Sequence, residues 1–195
     1  MKFPDQEPAR YQRSLDLWLD GKAAAALALL EPMLDKGDAH AHALAGAIYE
    51  FGGDGIEVDF SKAKYCYQLA AESVGALAAC FGLARMHFFG KGVERDLASA
   101  QEIYSAILEE VDDPAAHIGL ARIYLDDQWE PNLPLAEQHL KGPVVSGHVE
   151  AYSLMVKLRR KQGRVFSAIY FQICSRLKAA FYVMKDRNDP RLGSA

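Results

Sequence analysis

The residues Phe88–Asp96, FFGKGVERD, set a lysine between two glycines just ahead of a helix-forming stretch. Converging backbone N–H groups, small residues and a cation can cradle a phosphate. The remainder of such a site is missing, because GxxxxGK[ST] is absent and no third glycine completes GxGxxG. Internal comparison decides the matter. Gly55, Asp59, Ala63 and Tyr67 recur as Gly92, Asp96, Ala100 and Tyr104, each pair 37 residues apart. Leu83-Ala84-Arg85 recurs as Leu120-Ala121-Arg122 at the same spacing, and Asn132 and Ala136 follow Asp96 and Ala100 at 36. In that third copy the glycine segment is replaced by DDQWEPN. A position that also accepts Asp, Gln and Trp is a connector, and glycine there supplies the positive φ that ends one helix and turns the chain into the next.

Other reactive residue types form no recognisable set. The histidines are His40, His42, His87, His117, His139 and His148, without HxxxH or HExxH spacing. Cys66, Cys80 and Cys174 lie in apolar patterns without CxxC, which reads as buried structural thiols. Asp126, Asp127 and Glu130 surround Trp129 but lack EF-hand spacing, so a solvated connector is the reading and no metal is expected. GxSxG is missing, and spacing nominates no Cys/His or Ser/His/Asp set. No catalytic residue and no cofactor are expected.

The repeat specifies the elements that position whatever surface exists. In each unit an apolar-periodic segment ends at the turn, and a second begins at Asp59, Asp96 or Asn132, side chains able to cap free helix N–H groups. Asp113-Pro114 opens a further helix with proline at its first position. The pattern predicts helix pairs at 8–19 and 22–35, 38–51 and 59–73, 75–89 and 96–110, 114–126 and 133–140, 148–161 and 164–184. Small residues such as Gly46, Ala63, Ala84, Ala100 and Ala121 alternate with Tyr49, Tyr67, Met86, Tyr104 and Tyr124. One such hairpin cannot bury its apolar face alone, whereas stacked neighbours share a continuous core. The organisation expected is an N-terminal capping hairpin over 1–37, repeats over 38–141, a C-terminal helical pair over 142–184 and a tail over 185–195.

This pattern resembles the Sel1-like repeat, a relative of the tetratricopeptide repeat. The carrying residues are Ala45-Gly46, Tyr49, Gly53-Asp54-Gly55, Asp59, Lys62-Ala63, Tyr67 and Ala70-Ala71, then Leu83-Ala84, Gly90-Lys91-Gly92, Asp96, Ala100 and Tyr104. His87 departs from the family's tyrosine and Ser99 from its lysine, and the third unit lacks the turn glycines. The resemblance implies an all-α, right-handed α-α solenoid of about five helix pairs. It also implies a non-enzymatic scaffold or adaptor that holds a protein or peptide on its concave face. A bacterial immunity or chaperone-like protein that occludes one toxin or effector is the alternative within that class. An enzyme with a carboxylate site in the groove is the alternative outside it.

Arg85 and Arg122 occupy one slot in successive units, on the helix that lines the concave face in relatives. Stacked there, with His87 on the helix of Arg85, they are the candidate partner-binding residues, because guanidinium binds carboxylate and phosphate bidentately. The opposing reading pairs each arginine with an acid of a neighbouring helix.

Half of the 195 residues are hydrophobic, enough for a real core. The N-terminus lacks a signal-peptide core and no stretch reads as a membrane span, so a cytoplasmic protein is expected. The net charge of −4 divides unevenly. Through Gly147 there are 12 Lys and Arg against 23 Asp and Glu, a net of −11, and from His148 onward 10 against 3, a net of +7. Lys157, Arg159, Arg160, Lys161 and Arg164 form a basic cluster that could hold an anionic partner. Neither nucleic acid nor a small-molecule substrate is expected. The last helical segment is apolar nearly all round, so Phe171 and Tyr182, with Trp129 in the connector, are candidate interface residues and a homodimer through this segment is one expectation.

Overall fold

A computed structural model describes residues 6–73, 77–129 and 131–185. The described residues form ten α-helices and no strand, apart from an isolated bridge between Gly53 and Ile56. The helices are α1 (Gln6–Leu19), α2 (Ala23–Leu34), α3 (Ala39–Phe51), α4 (Phe60–Ala71) and α5 (Leu77–Phe89), then α6 (Leu97–Glu110), α7 (Pro114–Tyr124), α8 (Leu133–Val145), α9 (Val149–Lys161) and α10 (Val165–Lys185). The architecture is that of an α-helical repeat solenoid. The chain groups into two compact units, 1–103 and 104–195, divided within α6. In the first, α1 packs on α2 and α3 on α4, and the first helices α1, α3 and α5 are neighbours in order. In the second, α7 packs on α8 and α9 on α10, with α7 beside α9.

Caps start the helices where the repeat places them. Asp38 Oδ1 accepts from the Ala41 amide at 2.8 Å, Asp59 from Lys62 at 3.0 Å and Asp96 from Ser99 at 3.0 Å. Asp113 accepts from Ala115 at 2.7 Å and Asn132 from Leu135 at 3.1 Å. Each such cap is worth about 1 kcal/mol. The carboxyls of Asp59 and Asp96 lie below the usual range, held there mainly by these bonds: the Lys62 amide on Asp59, and the Ser99 hydroxyl and amide on Asp96.

The glycine connectors behave as turns. Gly90 and Gly92 have φ of 68° and 67°, and a Cβ at Gly92 would lie 2.5 Å from the Phe60 Cβ. The connector therefore abuts α4 directly. In the third unit, whose connector has no glycine, Asp126 Oδ1 accepts from the Gln128 amide at 2.9 Å, an Asx turn that bends the chain without positive φ.

Between helices the core is built from rings laid on glycines. Tyr67 is 1% exposed and lies against both Gly46 of α3 and Gly82 of α5. A Cβ at Gly46 would come within 2.7 Å of that ring, and one at Gly82 within 2.4 Å. Burying such a ring is worth roughly 1.5–3 kcal/mol. In the second unit Tyr104 lies on Gly119 in the same way.

The helix bounds follow the predicted ones closely except at α8, which runs on to Val145 through Gly142 and Pro143. Proline lacks a donor and ordinarily ends a helix. Here Pro143 is buried at its last turn, where its carbonyl accepts from the His148 amide at 3.0 Å. Cys66 is buried, and burial pushes its thiol pKa up; Cys80 and Cys174 are half-buried, and all three are free thiols.

Candidate interaction surface

Arg85 lies within a polar network between α3, α4 and α5. Its Nε donates to Glu50 Oε1 at 2.8 Å and its Nη2 to Oε2 of the same carboxylate, a bidentate pair. The Tyr67 hydroxyl donates to Glu50 Oε2 at 3.0 Å, and Arg85 Nη2 reaches that hydroxyl oxygen at 3.3 Å. The Glu50 side chain has no exposure, while Arg85 retains a quarter of its own. Burial first, then the Glu50 charge, raises the Tyr67 pKa well above the usual phenol range. A buried carboxylate with three donors is stable, whereas one without them is costly. This network holds the outer part of the Arg85 guanidinium in one place.

The guanidinium carbon is 5.0 Å from the centroid of the Phe51 ring. Phe51 ends α3 and is 43% exposed; Trp18 near the end of α1 is 6.3 Å from it, ring to ring. Lys91, in the connector after α5, has its Nζ 5.8 Å from the Phe51 ring and 5.6 Å from the Phe89 ring, and Phe89 is 48% exposed. The C-terminal ends of the three first helices of this unit thus present Trp18, Phe51, Arg85, Phe89 and Lys91 together. Cations over aromatic faces attract the ring quadrupole, and Trp, Tyr and Arg are the residue types that anchor protein interfaces.

His87 belongs elsewhere. Two residues apart on a helix, it projects about 200° from Arg85. It lines a cleft of about 470 Å³ with Lys64, Val93, Glu94, Arg95 and Asp96. The expectation that His87 shares the Arg85 face is corrected by this geometry.

In the second unit Arg122 pairs with Glu150 of α9, both side chains about a quarter exposed. The basic cluster is also largely engaged within the unit. Arg159 makes a bidentate pair with Glu137, Nη1 to Oε2 at 3.1 Å and Nη2 to Oε1 at 2.9 Å. The Arg159 bonds, then one from Gln162, hold the Glu137 carboxyl below its usual range. Lys161 pairs with Asp127, which Lys157 approaches at 3.9 Å. The Lys161 bond first, then its charge, lowers the Asp127 pKa. That engagement places Asp127 in an ion pair instead of an acid trio; Glu130 lies outside the described residues. Arg160 reaches only Gln172, at 3.4 Å, and Arg164 is exposed.

Trp129 is 37% exposed, at the edge of the connector. Phe171 packs into the second unit's core, and Tyr182, 4% exposed, sits over Gly147. The exposed side of α10 is therefore the opposite one, with Phe166, Ile169, Ile173, Leu177 and Phe181, and the expectation that Phe171 and Tyr182 face outward is corrected by this packing. Period alone showed two apolar faces; packing against α9 chose which was covered. Trp18, Phe51, Phe89 and Glu50 were also missed, although Glu50 was visible as an acid 35 residues before Arg85. Among the described residues no group of three or more His, Cys, Asp or Glu side chains could hold a metal ion. No described helix is long and apolar enough to cross a membrane.

The Sel1 repeat family model matches residues 39–73 and 77–106. Those segments contain the Glu50–Tyr67–Arg85 network and both glycine connectors. No curated protein matches the sequence significantly. The crystal structure of a Sel1 repeat protein from Oxalobacter formigenes is similar, with a TM-score of 0.67 and 22% sequence identity. The similarity covers 87% of this chain and 68% of that one. At that identity the likeness speaks to fold, and the fold is the helical-repeat array already described. Sel1 repeat proteins are generally protein-interaction scaffolds. Residues 39–73 and 77–106 thus match two Sel1 repeats in tandem, within a fold that along most of the chain is similar to that of a Sel1 repeat protein.

Proposed function

We propose that this chain is a non-enzymatic scaffold that holds a protein or peptide partner on the first-helix face of its N-terminal unit. The observation that carries this reading is the row Trp18, Phe51, Arg85, Phe89 and Lys91, half-exposed aromatics interleaved with cations at the ends of consecutive first helices. The Glu50 carboxylate fixes Arg85 before any partner arrives. Ordering those side chains in advance reduces the entropy lost on association. A partner that fits would bring apolar side chains to Phe51 and Phe89 and a carboxylate to Lys91. Arg122, bridged to Glu150, is the corresponding candidate contact in the second unit.

The test uses a photo-crosslinking amino acid at position 51 or 89, with one at Ala24, on the exposed side of α2, as the control. A discrete crosslinked partner at 51 and 89 but not at 24, diminished at least tenfold by Lys91→Glu, is expected. Equal labelling at all three positions overturns the assignment. Arg85 is not reversed in this test, since a glutamate there would face the buried Glu50.

A further inference from the structure

Among the described residues, the outer face of α10 carries more exposed large apolar side chains than any other helix. Nine large apolar side chains of this helix are 48–89% exposed. At roughly 100 Å² apiece, a fraction of what each could bury, they offer about 900 Å². That matches one partner's share of a standard protein interface, about 800 Å², and exceeds the ~300–600 Å² of the largest patch on an ordinary monomer. Phe166, Tyr170, Ile173, Leu177, Phe181 and Met184 run along the helix at steps of three and four residues. That spacing makes a straight ridge, the shape that packs along another helix.

The charges around the ridge have one sign. The described part of α9 and α10, residues 148–185, holds eight Lys and Arg and a single acid, Glu150, which is committed to Arg122. α10 itself contains no acid. Helical geometry puts Arg176 at one margin of the ridge and Lys178 and Lys185 at the other. Beside the ridge lies a groove of about 450 Å³ lined by Tyr152 of α9 and by Tyr170, Cys174, Leu177, Lys178 and Phe181. It is an apolar slot with an ammonium at its rim.

We propose that the outer face of α10 docks an amphipathic helix with acidic margins from a partner protein. Its apolar side chains cover the ridge and one enters the groove beside Lys178, while its carboxylates meet Arg176, Lys178 and Lys185. Residues 186–195, DRNDPRLGSA, offer only Leu192, Ala195 and Pro190 as apolar side chains and do not carry such a pattern. A second copy applied through the same face brings cations to cations, with no acid on either helix to offset them. A lipid surface takes a convex apolar face and makes no use of the groove. This surface is separate from the Phe51–Phe89 row, so either assignment can fail while the other stands.

The experiment uses the full chain and two labelled synthetic 21-residue helices that share a leucine ridge, one with glutamate margins and one with lysine margins. The glutamate helix is expected to bind at least tenfold more tightly than the lysine helix. Ile173→Glu/Leu177→Glu, at exposed positions, abolishes binding, and Arg176→Glu/Lys178→Glu reverses the preference between the two helices. Equal affinity for the two overturns the proposal, as does affinity unchanged by either double variant. Two further outcomes overturn it by naming another occupant. One is a stable dimer in light scattering that Ile173→Glu/Leu177→Glu dissociates. The other is binding to phosphatidylcholine vesicles containing 30% phosphatidylglycerol with no binding to either helix.

Discussion

Arg85 and Arg122 fill the same slot one repeat apart, yet each meets its acid from a different direction. Arg85 reaches back to Glu50, 35 residues earlier and fully buried, with Tyr67 completing the network. Arg122 reaches forward to Glu150, 28 residues later and partly exposed. The residue 35 positions before Arg122, where Arg85 has Glu50, is His87, and a histidine cannot supply the same carboxylate. The repeat thus preserves backbone, caps and ring-on-glycine packing while its charges are reassigned locally. The two arginines are equally exposed, but the Glu50 carboxylate is fully buried and the Glu150 carboxylate about a fifth exposed, so water screens the second pair more.

That difference is measurable. Glu50→Ala leaves Arg85 partly buried without its carboxylate and Tyr67 without its acceptor, and should cost about 3–5 kcal/mol in urea unfolding. Glu150→Ala should cost about 1 kcal/mol or less. Equal losses would show that burial does not separate the two arginines. Trp18 reports the first unit and Trp129 the second, so the single-tryptophan variants Trp18→Phe and Trp129→Phe assign each loss to its unit.

The packing shared by the units should respond alike in both. Gly82→Ala and Gly119→Ala each drive a methyl into a tyrosine ring, at 2.4 Å and 2.5 Å, and should each cost about 1–3 kcal/mol. Gly142→Ala meets nothing within 4 Å inside a helix and should instead gain about 0.5–1 kcal/mol. Thermal melts of the three variants test this; a Gly82→Ala protein as stable as the parent would remove the ring-on-glycine account.

A smaller effect is confined to the second unit. His139 Nδ1 lies 2.7 Å from His117 Nδ1, and His117 Nε2 lies 2.8 Å from an Asp112 oxygen. One Nδ1 must donate and the other accept, so protonating both sets N–H against N–H. Burial first, then the His117 charge, lowers the His139 pKa below its ordinary 6.5. The unfolded chain therefore binds a proton at higher pH than the folded one. The stability contributed is complete above pH 6.5 and is lost as pH falls through the window between 6.5 and the lower folded value. His139→Asn should flatten the pH dependence of the Trp129 signal there and leave that of Trp18 unchanged. At the bottom of the scale, Asp127→Asn removes an ion pair whose carboxyl is solvent-exposed, and should leave the unfolding midpoint unchanged.

Much of the fold was legible from spacing. Recurrence at 36–37 residues, with Asp or Asn ahead of α3, α4, α6, α7 and α8, located the helices of the central repeats within a few residues. Caps are local: the bonds they make lie within two or three residues, so sequence carries them directly. The end of α8 was not legible, because Pro143 reads as a stop until its burial and the bond from His148 are known. The candidate surface was legible only in residue type. Arg85 could be singled out by its recurrence, but its commitment to Glu50 and its place beside Phe51 depend on how α3 and α5 lie together.

The amino-acid order by itself determined the repeat, the helix starts and the alternation of small and large residues that makes hairpins stack. Only the tertiary structure decided which cations are spent on internal carboxylates and which face of α10 is left to solvent. Periodicity reports that a helix has an apolar face; which face is covered is set by contacts between segments far apart in sequence, and those contacts have no local signature.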